Sequence, residues 1–84
     1  MKLKKVSSKQ MISFLKTNGI YFHHKKGSHN VLIKENCVRV VVPDRKELPI
    51  GTTLAILRES NISRDEFTTF FQKRRLKKRR NYNG

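Results

Sequence analysis

The chain has 84 residues, with 20 Lys and Arg against six Asp and Glu for a formal net charge of +14. That length allows one small domain and no cleft between domains. A charge this one-sided destabilises the compact state by self-repulsion, so it points to a polyanionic partner, nucleic acid before an anionic membrane. Seven of the eight residues from Lys73 to Arg80 are basic; subtracting them leaves +7 on the remainder, so the domain itself is basic. The lone Cys37 excludes an internal disulfide, and Cys37-Val38 reads as buried strand. No secretory leader and no bilayer-length apolar run is apparent, so a cytoplasmic protein is expected, without a membrane partner.

The first predicted element is a helix. Ser7 is suited to its N-cap, Gln10 completes a capping box, and Val6 is placed to staple against Met11. Met11, Ile12, Phe14 and Leu15 form one apolar face, and Asn18-Gly19 supplies the stop. Three strands are expected next, over 20–25, 28–34 and 37–42, with turns at Lys26-Gly27 and Glu35-Asn36 and an end at Pro43-Asp44. Such short turns predict an antiparallel meander. A loop over 44–51 precedes a second helix over 52–60, with Ile50, Leu54 and Leu57 on one face and Asn61 as its stop. A third helix starts at Ser63, with Glu66 in a second capping box, Ile62 stapling Phe67, and a stripe of Phe67, Phe70 and Phe71. Residues 1–71 are read as one α+β domain, its helices on one face of a small sheet, and 72–84 as a flexible basic tail.

Few side chains stand out for chemistry. His29, in Lys25-Lys26-Gly27-Ser28-His29, follows a turn at the start of a strand, beside cations suited to phosphate. Imidazole transfers protons near neutral pH. On the residues alone His29 reads first as a surface histidine in a hairpin, and only second as a catalytic residue. His23 and His24, as neighbours in a strand, are expected on opposite faces, so they make no chelating pair, and no metal site is expected. Phe22 is read as core and Tyr21 as a candidate base-stacking residue. Ser7-Ser8 is read as a helix cap, with no nucleophilic role.

The ordered motifs resemble the HicA toxins, also called YcfA-like proteins, mRNA interferases of toxin–antitoxin pairs. The matching pieces are Lys5-Val6-Ser7-Ser8, Asn18-Gly19, Lys26-Gly27-Ser28-His29, Val40-Val41-Val42-Pro43, Glu47-Leu48-Pro49 through Gly51-Thr52, and Ile62-Ser63-Arg64 with Glu66-Phe67. They keep family order over about residues 4–70. The resemblance implies a fold like the double-stranded-RNA-binding domain and a metal-independent endoribonuclease without cofactor. It further implies an mRNA substrate, an inhibitory HicB-type antitoxin in a heteromeric complex, and His29 as the catalytic residue. Lys25, Lys26, Gly27 and Ser28 would then hold the phosphate. Lys25, Lys26, Tyr21 or the RNA's own phosphate could supply the second proton-transfer function.

The chain departs from the family in two places. Asp44-Arg45-Lys46 stands where the family commonly has His or Gly, and the basic tail is unusual. In that tail Lys73, Arg74, Arg75, Lys77, Lys78, Arg79 and Arg80 are candidate phosphate contacts. The alternative reading is a non-catalytic basic RNA-binding module, ribosome-associated or an RNA chaperone, which charge and fold fit equally.

Overall fold

The computed structural model describes residues 3–35 and 38–72. The basic run from Lys73 and the predicted strand residue Cys37 lie outside them.

The order is α1 (Ser8–Lys16), β1 (Ile20–Lys26), β2 (His29–Lys34), β3 (Arg39–Pro43) and α2 (Ile50–Ser60), followed by a third helix, α3, over 64–72. The strands form an antiparallel sheet in the order β1-β2-β3. This is the helix, three-stranded meander and helical end expected of a fold like the double-stranded-RNA-binding domain.

Local chemistry accounts for the boundaries. The Gln10 N–H donates to Ser7 Oγ at 3.1 Å and the Ser7 N–H donates to Gln10 Oε1 at 3.0 Å, a closed capping box. The same reciprocal pair joins Ser63 and Glu66, at 3.1 and 3.2 Å, and starts α3. Gly19 takes φ +78 after α1, and Asn61 takes φ 59 as the left-handed cap of α2, a region Asn enters more readily than other residues with a Cβ. Helix α2 begins at Ile50, two residues before the predicted start, because Pro49 sits at the N-cap, where its missing N–H costs nothing. Its buried face also differs from expectation: Thr53, Ile56, Leu57 and Ser60 face inward while Leu54 is only half-buried. The small Ser60 can be buried because its hydroxyl donates to the Ile56 C=O at 2.7 Å.

The core lies between the helices and one face of the sheet. It gathers Met11, Phe14 and Leu15 of α1, Ile20, Leu32, Val40 and Val42 of the sheet, and Ile56, Leu57, Phe67 and Phe71. Phe14 is its hub, with ring centroids 5.4 Å from Phe67, 5.1 Å from Phe70 and 6.0 Å from Phe71.

Directly opposed residues in a ladder share a face, so the register sorts the sheet into rows. Phe22, Leu32 and Val40 oppose one another on the helix-facing side. Three rows lie on the other, open side: Tyr21, Ile33 and Arg39; His24, Val31 and Val41; and Lys26, His29 and Pro43. Phe22 corrects the expectation of core packing. It lies in the helix-facing row, but on the edge strand β1, with a neighbouring strand on one side only, and remains 51% exposed.

Candidate active site

The β1–β2 hairpin closes on Gly27-Ser28, between the opposed residues Lys26 and His29. Gly27 has φ +61 while Ser28 is outside the positive region, the pattern of a type II′ turn, which takes Gly at its first central position. An alanine there would meet no atom within 4 Å, so the requirement for glycine is conformational. The turn presents His29 at the first position of β2, exposed, with Lys26 across the ladder on the same face. Asn30, the next residue, is buried and donates from Nδ2 to the Val42 C=O at 3.0 Å, bracing β2 against β3 just below the histidine.

The remaining walls come from the loop after β3. Ser28, His29, Pro43, Asp44, Arg45, Lys46 and Glu47 line one open pocket of about 440 Å³. A second of about 360 Å³, lined by Ser7, Ser8, Lys9, Asp44, Arg45 and Lys46, shares its middle residues. The segment Asp44-Arg45-Lys46 therefore borders both pockets, the one that contains His29 and the one at the start of α1.

The loop is held by backbone and by one buried hydroxyl. Ser8 Oγ lies 2.6 Å from the Pro43 C=O and 2.9 Å from the Arg45 C=O, and the Arg45 N–H donates to it. The Ser8 N–H donates to the Arg45 C=O at 3.0 Å, the Leu48 N–H to the Val6 C=O at 2.7 Å, and the Asp44 N–H to the Ser28 C=O at 2.8 Å. Ser7 and Ser8 thus divide their labour: Ser7 caps the helix, and Ser8 fixes the loop that faces His29.

The sequence-predicted residues separate on inspection. Gly27, Ser28, Lys26 and His29 come together as expected. Lys25 is engaged elsewhere, its Nζ 2.8 Å from Asp44 Oδ2 in a half-exposed ion pair, whereas Lys26, opposite His29 in the ladder, has no ion pair among the described residues. Tyr21 is 56% exposed on the open face, but its row lies at the far end of β2 from His29. His23 and His24 differ from expectation. The register skips His23 between Phe22 and His24, a bulge that breaks the alternation. The two rings then meet, with Nδ1 atoms 2.7 Å apart and centroids at 5.0 Å. Among the described residues no three His, Cys, Asp or Glu side chains are grouped to hold a metal ion, and no helix is long and apolar enough to cross a membrane.

Sequence reasoning missed Arg45, Lys46 and Glu47 as lining residues. The available signal was the charged run Asp44-Arg45-Lys46-Glu47 directly after the Pro43 strand end.

A family model described as the HicA toxin of bacterial toxin–antitoxin systems matches residues 8–62, which runs from the first residue of α1 to just beyond α2 and contains the hairpin and both pockets except Ser7. No curated protein sequence matches the chain.

Proposed function

Because the chain belongs to the HicA toxin family of bacterial toxin–antitoxin systems, and so has an antitoxin partner, we propose that it is an endoribonuclease that cleaves mRNA without a metal ion, with His29 as a proton-transfer group. The observation that carries this reading is the placement of His29. A II′ turn exposes it, Asn30 anchors its strand, Lys26 lies across the ladder from it, and it lines one pocket together with Arg45 and Lys46.

Metal-free cleavage proceeds by attack of a ribose 2′-OH on the adjacent phosphate. A base removes the 2′ proton, an acid protonates the departing 5′ oxygen, and cations stabilise the charge that builds on the phosphoryl oxygens. In this site His29 provides one proton transfer. Positive charge comes from Lys26, paired with His29 across the ladder, and from Arg45 and Lys46 in the pocket lining. Ser28 and the Gly27 turn let the RNA backbone approach closely. Lys25 acts one step removed, neutralising Asp44 so that its carboxylate does not repel the phosphate. A HicB-type antitoxin would inhibit by covering this mouth of the sheet. Residues 72–84, beyond the domain at 1–71, would add a phosphate-binding arm of no sequence preference.

The test is cleavage of an mRNA by the purified chain in the presence of a chelator, beside His29→Ala. The expected result is cleavage by the wild type, loss in the variant, and growth arrest on induction of the wild type only. Equal cleavage by both proteins removes His29 from the mechanism. Tight RNA binding with no cleavage by either favours a non-catalytic RNA-binding module.

A further inference from the structure

The reaction above needs two acid–base groups, and His29 is one. We propose that Glu47 is the other, the base that takes the 2′-OH proton while His29 protonates the leaving 5′ oxygen. This rests on the ribonuclease reading and adds the residue it lacks.

The assignment follows from what each neighbour of His29 is free to do. Lys26 is a donor with no acceptor lone pair when charged, which suits it to hold phosphate. Lys25 is tied to Asp44. Tyr21 stands in a row at the other end of the strand. That leaves the carboxylate residues that line the same pocket, Asp44 and Glu47. Asp44 has Oδ2 held by Lys25 at 2.8 Å and its N–H held by the Ser28 C=O, so it serves as a strut between loop and hairpin. Glu47 is exposed, and among the described residues its carboxylate makes no hydrogen bond or ion pair. Its backbone is nonetheless fixed, because the next residue, Leu48, is fully buried and bonded to Val6. Glu47 lines the same pocket as His29, and in-line displacement requires a base on the 2′ side of the phosphate and an acid on its 5′ side, the two roles assigned here to Glu47 and His29.

The step balances within these groups. The carboxylate of Glu47 accepts the 2′ proton, the 2′ oxygen bonds to phosphorus, and the bond from phosphorus to the 5′ oxygen breaks. The protonated imidazole of His29 gives its proton to that oxygen. The products are a 2′,3′-cyclic phosphate and a 5′-OH end, and exchange with water resets Glu47 and His29. The charged groups facing the pair are Asp44, Arg45 and Lys46 of the loop and Lys25 and Lys26 of β1.

The experiment is the pH dependence of cleavage of a short RNA by the full chain. Wild type should give a two-limbed profile, its acid limb reporting a carboxylate and its alkaline limb an imidazole. Glu47→Gln should lower kcat by about 10²–10⁴-fold and abolish the acid limb. Its binding of the same RNA with a 2′-deoxy sugar at the cleaved position should stay within about threefold, since that RNA cannot react. Asp44→Asn should keep the acid limb. An acid limb that survives in Glu47→Gln, whatever the rate, overturns the assignment, as does its disappearance in Asp44→Asn. Those results leave the ribonuclease reading standing provided His29→Ala is inactive. No cleavage by wild type removes both.

Discussion

Replacing Ser8 by alanine should be the most damaging change that leaves every apolar contact in place. The hydroxyl is buried, 3% exposed, and joins α1 to the loop through the Pro43 and Arg45 carbonyls and the Arg45 N–H. Its loss removes a net stabilisation of about 1 kcal/mol for the hydrogen bond it donates. It also strands the Arg45 N–H in a part-buried position, which costs about 1–2 kcal/mol more. The total is about 2–3 kcal/mol, against roughly 4–12 kcal/mol expected for a domain of this size. In thermal unfolding this corresponds to a Tm lower by roughly 10–20 °C. Ser7→Ala, which loses only the helix cap, should cost about 1 kcal/mol. Urea unfolding of the two variants beside wild type measures both values. If Ser8→Ala falls within about 0.5 kcal/mol of wild type, or below Ser7→Ala, the loop is not held by this hydroxyl and the argument for a preformed pocket fails.

Phe14→Ala removes the ring on which Phe67, Phe70 and Phe71 converge, and should destabilise by about 3–5 kcal/mol, with loss of α3 seen as reduced far-ultraviolet ellipticity; a loss of under 1 kcal/mol would mean that α3 packs by other contacts. The double variant Arg45→Gln, Lys46→Gln should weaken binding of single-stranded RNA and lower the slope of log affinity against log salt by about 1.4, two phosphates at ~0.7 each. Removing the same charge at the exposed Lys16 and Arg58, at the C-terminal ends of α1 and α2, should change that slope less, and an equal change would show that only net charge matters. Truncation after Gln72 should lower RNA affinity and its salt dependence together; identical titrations with and without the tail would end the phosphate-arm reading.

The helices and strands were legible wherever a local rule decides them. Both capping boxes, the Gly27 turn and the Asn61 stop could be read because each is a short-range pairing of residue type with backbone need. The buried face of α2 was not, because apolar periodicity selects Leu54, whereas Thr53 and Ser60 are buried by close approach of the helix to the core. The site was half legible. His29, Lys26 and Gly27 are consecutive enough to form a motif, but Arg45 and Glu47 join them only through bonds between residues distant in the chain, such as the Asp44 N–H to the Ser28 C=O and those of Ser8. No window on the sequence contains that information. His23 and His24 were misjudged for a related reason: strict alternation presumes an unbroken ladder, and the bulge is a property of two strands rather than one.

That bulge also separates chain length from site geometry. Counted in twos from Ile20, Lys26 would fall on the helix-facing side with Phe22. With His23 left out of the ladder, it faces the open side opposite His29, and Lys25 is the one on the helix-facing side. The orientation of the hairpin end is therefore dictated by its partners on β2 and not by its distance from the start of β1. Residue 23 works as slack in the edge strand. Deleting it would keep every recorded pair of the ladder and leave the Lys26–His29 face unchanged. Inserting a residue between Lys26 and His29 has no such shelter, because it would lengthen the turn that aims the histidine. Length variation among relatives should accordingly be tolerated at the bulge and excluded at the turn.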